Sequence, residues 1–94
     1  MAAGDITRDT GFPRPMGNMW MMCGTIEVDT TLRAFAICDT NSRILSGFVV
    51  DQDGVGAARL MLNQNASAVE TNGTISVDGE NSGPETFYYT IYYV

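Results

Sequence analysis

The stretch Thr86-Phe87-Tyr88-Tyr89-Thr90-Ile91-Tyr92-Tyr93-Val94 constrains the fold of this chain more than any other. Every residue in it is β-branched or aromatic, the types that favour strand. Alternate side chains of a strand point to opposite faces. One face therefore carries Phe87, Tyr89, Ile91 and Tyr93, and the other Tyr88, Thr90, Tyr92 and Val94. Neither is polar. An open row of Tyr88, Tyr92 and Val94 would present roughly 400 Å², at about 150–250 Å² per aromatic, already the largest apolar patch of a typical monomer. Both faces are therefore expected to be covered, the second by a neighbouring subunit.

The rest of the chain predicts more strands. Met19 to Asp29 has Trp20, Met22, Gly24, Ile26 and Val28 on one face and Met19, Met21, Cys23, Thr25 and Glu27 on the other. Its methionines suit either core filling or an adaptable contact surface. Leu32 to Asp39 places Phe35 and Ile37 on one side and a small-residue face, Leu32, Ala34, Ala36 and Cys38, on the other. Arg43 to Asp51 sets Ile44, Phe48 and Val50 against Leu45 and Val49, and Gly47 in its middle signals a bulge or a close backbone approach. Ala57 to Asn63 predicts a fourth strand with Ala58, Leu60 and Leu62 inward, though its composition also suits a helical turn. Gly73 to Gly79 is a short fifth strand, after a polar connection from Asn63 to Asn72. Six short strands joined by Gly, Asn and Asp turns predict an all-β fold, a small antiparallel β-sandwich or barrel.

Residues 1–18, MAAGDITRDTGFPRPMGN, read as an extended N-terminal arm, and 19–94 as a single β domain. Glycines and prolines interrupt regular structure here, and Phe12 and Arg14 are pushed into extended conformations by the prolines after them. The arm would span about 60 Å at roughly 3.3 Å per residue. Ile6, Phe12, Pro13 and Pro15 give it something to bury on a neighbouring subunit; the plainer alternative is a disordered terminus.

The chain has eleven acidic residues and five arginines, with no Lys and no His, for a formal net charge of −6. That charge repels nucleic-acid backbones and anionic membranes. No apolar run is long enough for a membrane span, and no export signal is expected. The missing His and Lys remove imidazole bases, histidine metal ligands and amine chemistry. Ser and Thr have no partner base. The turn Asp51-Gln52-Asp53-Gly54-Val55-Gly56 opens like a calcium loop but lacks the later acidic ligand. Asn65-Ala66-Ser67 and Asn72-Gly73-Thr74 match the glycosylation pattern, which matters only in a secreted chain. Cys23 and Cys38 are expected as buried free thiols. No catalytic, metal or cofactor site is predicted, and the chain is expected not to be an enzyme.

The opening MAAGDITRDTGFPRPMGN, the segment GTIEVDTT, the Gly/Asn-rich β region and the ending YYV together resemble small structural proteins of tailed-bacteriophage virions, especially head decoration (cement) proteins. The resemblance is one of layout over most of the chain. It implies a virion location, a homo-oligomer with a trimer favoured, and contact with the major capsid protein or other virion subunits. The arm residues Ile6, Phe12, Pro13 and Pro15 would bind capsid or neighbour, and Tyr88, Tyr92 and Val94, with Trp20, would lie in a strand contact. Two alternatives are a tail-tip or fibre-head domain binding a host surface glycan or protein, with Trp20 or the tyrosines stacking on sugar faces, and an acidic inhibitor that mimics DNA.

Overall fold

The tyrosine-rich strand lies inside a sheet, with a hydrogen-bonded neighbour on each edge. The computed structural model describes residues 4–52, 58–79 and 84–94. Among them are seven strands and no helix: β1 (Arg14–Met16), β2 (Met19–Val28), β3 (Arg33–Ala36), β4 (Ile44–Asp51), β5 (Ala58–Gln64), β6 (Glu70–Gly79) and β7 (Glu85–Tyr93). They form two sheets, one of four strands in the order β1-β2-β7-β4 and one of three in the order β3-β6-β5. Every pairing is antiparallel. The expected sandwich is therefore the observed fold.

The inner face of β7 is the one the alternation predicts. Phe87, Tyr89, Ile91 and Tyr93 are buried. Opposite them the three-stranded sheet contributes Phe35 from β3 and Ile75 and Val77 from β6, with Leu60 and Leu62 of β5 half-buried at the margin. Each large apolar side chain buried this way stabilises by about 1.5–3 kcal/mol. Hence β2 and β7, paired along nine consecutive positions from Trp20–Tyr93 to Val28–Glu85, form the spine of the fold.

Three expectations are corrected. The first concerns the arm. Its described residues do not project: they run back along the free edge of β2. Gly4 N–H donates to Glu27 O at 2.9 Å, Glu27 N–H to Asp5 O at 3.0 Å, Thr7 N–H to Thr25 O at 2.8 Å and Asp9 N–H to Cys23 O at 2.9 Å. After a detour through Gly11, Phe12 and Pro13, the chain rejoins the same edge as β1, with Arg14 opposite Met21. The physical reason is that β2 has an edge needing partners, and the segment supplies them despite its glycines and prolines. Residues 1–3 lie outside the described residues.

The second is the face assignment in β4. The predicted grouping of Ile44 with Phe48 and Val50 fails because the register shifts between Ile44 and Ser46. The extra residue, Leu45, lets Ile44 turn into the core beside Tyr93 while Phe48 and Val50 turn outward. Gly47 lies just past that shift, facing inward, where a Cβ would come within 2.8 Å of both Ile91 Cγ2 and Thr90 O.

The third is the polar connection from Asn63 to Asn72, which is shorter than expected. β6 begins at Glu70, and Asn65 organises the turn by accepting from Ser67 N–H at 2.9 Å and Val69 N–H at 3.0 Å. The predicted Asp/Gly turn after β4 falls largely on residues 53–57, and the loop before β7 largely on residues 80–83, both outside the described residues.

Candidate interaction surface

The outer face of the four-stranded sheet is built by register. β7 points Tyr88, Thr90 and Tyr92 outward. Thr25, Cys23 and Met21 of β2 lie opposite them on one side, and Val50, Phe48 and Ser46 of β4 on the other. β1 adds Met16 beside Met19. No charged side chain lies among these positions. Phe48 is 51% exposed, and Val50 and Tyr88 47% each. Met16 stands at the far edge of the face, on β1, and the open apolar side chains of the whole face come to about 400 Å², within the range of the largest apolar patch on an ordinary monomer. Charge appears at its margins: along the N-terminal edge Asp9 follows Thr7 on this side, beside Cys23. Glu27 is buried at one end and accepts from Thr86 Oγ1 at 2.5 Å; Arg14, at the other, stacks on Phe12 with its guanidinium carbon 4.9 Å from the ring centre.

Of the interface residues expected from sequence, Tyr88 and Tyr92 share this face. Val94, exposed just beyond β7, follows in the same alternation and exchanges backbone hydrogen bonds with Arg43 at 3.1 Å. Trp20 does not share it: it pairs with Tyr93, on the inward side, and stands 45% exposed beyond the end of the opposing sheet. Ile6 and Phe12 pack half-buried on the chain's own core, and Pro13 and Pro15 are exposed along the β1 edge. Phe48, Val50, Leu45 and Met16 were missed. Only the register across β7 shows that Phe48 and Val50 stand beside Thr90 and Tyr88.

The small-residue face expected on the second strand is also open, with Ala34 and Ala36 exposed. Among the described residues no layer covers it.

The polar groups read as structural. Arg8 donates to Ile37 O at 3.0 Å and Ala36 O at 3.0 Å, tying the N-terminal segment on one sheet to β3 of the other. Tyr89 reaches over Gly24 and donates to Thr7 O at 2.9 Å. Burial pushes its hydroxyl up to about 12, against the opposing pull of the Arg8 charge. Cys23 and Cys38 are free thiols, both half-buried, and burial pushes the Cys38 thiol up to about 11. Arg33, Arg43 and Arg59 pair with Asp29, Glu70 and Asp78 at 3.1, 3.2 and 3.1 Å. Among the described residues no cluster of three or more His, Cys, Asp or Glu is placed to hold a metal ion, and no helix is long and apolar enough to cross a membrane.

No family model, curated protein or solved structure matches this chain.

Proposed function

We propose that this chain is a non-enzymatic structural subunit of a phage virion, a decoration or cement protein that docks on the capsid and on copies of itself. The observation that carries the reading is the uncharged middle of the outer face of the four-stranded sheet, with Phe48, Val50 and Tyr88 standing half-exposed side by side. Covering about 400 Å² of apolar surface contributes roughly 10 kcal/mol at 25 cal/mol per Å². That is comparable with the 4–15 kcal/mol estimated cost of association, so one patch needs a matching apolar surface opposite it. A capsid lattice offers many identical copies of such a surface. The face sits on paired strands rather than loops, so it is presented in a fixed shape.

Acidic residues are a poor support for the nucleic-acid mimic. Asp29, Glu70 and Asp78 are engaged by arginines, and the broadest open face has no carboxylate at its centre.

The test is to sediment particles from a lysate of the source that produces the chain and to label them with gold-tagged antibody against it. Gold on heads, with the chain in the particle fraction, is the expected result. Gold at tail tips would favour the glycan-binding alternative. A chain found only in the soluble fraction would overturn the structural reading.

A further inference from the structure

The four-stranded sheet has two edges, and they are unlike. The first is formed by β1 and the N-terminal segment. It carries Pro13 and Pro15 and is broken between Asp9 and Arg14, features that blunt an edge against pairing. The second is β4. From Ile44 to Val50 it holds no charge and no proline, and Leu45, Phe48 and Val50 are exposed. Its first residue is already tied down: Ile44 N–H donates to Asn63 Oδ1 at 3.0 Å, and Asn63 Nδ2 donates to Ile44 O at 2.8 Å. The remainder, Ser46 to Val50, has β7 on one side and no strand on its outer side among the described residues.

Antiparallel pairing alternates between residues bonded to the partner strand and residues turned away. Gln52 N–H donates to Thr86 O at 3.0 Å, which fixes the phase on β4. Val50 and Phe48, opposite Tyr88 and Thr90, therefore bond to β7, and Gly47 and Val49 turn their N–H and C=O groups to the open edge.

We propose that β4 pairs with β4 of a second copy across a two-fold axis through Phe48, joining two four-stranded sheets into one of eight strands. The alternation of the strand is self-complementary about that point. Phe48 faces the partner's Phe48 on the outer side, and Val50 faces the partner's Ser46. Gly47 and Val49 exchange backbone hydrogen bonds with the partner's Val49 and Gly47, about four in all. A two-fold axis perpendicular to the sheet makes the two strands antiparallel. Within the four-stranded sheet the opposite edge is proline-bearing and broken, so that sheet has no second open edge for a head-to-tail ring, and the pairing closes at two copies. This replaces the threefold assembly expected from the resemblance. It also joins the two outer faces into one apolar surface. The pairing holds whether or not the chain binds a capsid.

Amide hydrogen exchange on the full chain, with mass in solution measured at the same concentrations, tests the proposal. In the dimer the Gly47 and Val49 amides exchange slowly, and on dilution to monomer they become fast. The Phe48 amide, bonded to β7, stays slow in both. Phe48→Lys raises the dimer dissociation constant at least tenfold, and Ala34→Lys, exposed on β3 of the other sheet, leaves it within threefold, with circular dichroism showing both variants folded. A trimer, a monomer at all concentrations, or a dimer whose Gly47 and Val49 amides exchange freely would overturn it. So would loss of the dimer in Ala34→Lys but not in Phe48→Lys. None of these outcomes alters the particle-labelling result, so the two claims fail separately.

Discussion

Asn63 and Ile44 hold the two sheets together by side chain to backbone: the Asn63 amide accepts from Ile44 N–H at 3.0 Å and donates to Ile44 O at 2.8 Å. Asn63 sits at the register shift of β5 with φ of 57°, a left-handed conformation that Asn tolerates better than most residues. The irregularity in β5 thus aims a side chain at the start of β4, where it takes the place of a neighbouring strand. Asn63→Ala would leave the Ile44 N–H and C=O without these partners and force Ala into the left-handed region. A loss of about 2–4 kcal/mol is expected. Asn63→Gly removes the same bonds but relieves the backbone, and should recover about 1 kcal/mol of that. Urea unfolding measures both; equal stability of wild type and the two variants would show that the clamp contributes nothing.

Gly24 and Tyr89 face each other across β2 and β7, and the missing side chain of Gly24 is the opening through which the tyrosine reaches Thr7. A Cβ at Gly24 would run into the Thr7 carbonyl and come within 2.7 Å of Tyr89 Oη. Gly24→Ala should therefore peel the N-terminal segment off β2 while the sandwich survives. Tyr89→Phe should do so more mildly, costing about 1–2 kcal/mol for the lost hydrogen bond and the Thr7 carbonyl left behind. Exchange of the Thr7 and Asp9 amides is the readout. Unchanged protection in Gly24→Ala would contradict this arrangement.

Stability should fall in strong base. Cys38 and Tyr89 are held neutral by burial, with folded pKa values raised to about 11 and about 12 from ordinary values of 9.0 and 10.0. Unfolding releases the proton more easily than the folded state does. The stabilisation is full below the ordinary value and is lost as pH rises through the folded one. The loss then begins near pH 9 with Cys38 and continues to about pH 12 with Tyr89. Tyr93, also shifted up by burial, adds to the same side. Urea midpoints across this range should decline in the wild type and level off in the upper part for Tyr89→Phe; a slope unaltered by that substitution would show that Tyr89 is not the titrating group.

The sequence was most legible where one residue pattern decides one structural fact. Phe87, Tyr89, Ile91 and Tyr93 alternate without interruption and are all buried, so β7 could be read directly, whereas its pairing with β2 could not, because strand order is written in neither strand's pattern. β4 could not, because Leu45 is an extra residue only relative to Tyr92 and Tyr93 across the ladder. The same limit applies to residues 4–16. Their glycines and prolines describe local preference, but the edge of β2 that recruits them is created by folding. The candidate surface was half visible for this reason: Tyr88 and Tyr92 follow from β7 alone, whereas Phe48 and Val50 follow from a register that no single strand contains.

Side-chain oxidation by hydroxyl radicals, compared between the free chain and the chain in sedimented particles, tests most directly whether the outer sheet face is an assembly surface. Free in solution, Met16, Phe48 and Tyr88 should be oxidised readily, in keeping with their exposure. In particles, all three should be protected severalfold while Trp20, on the other side of the sheet, changes less. Equal oxidation of Phe48 and Tyr88 in the two samples would contradict the proposed docking face.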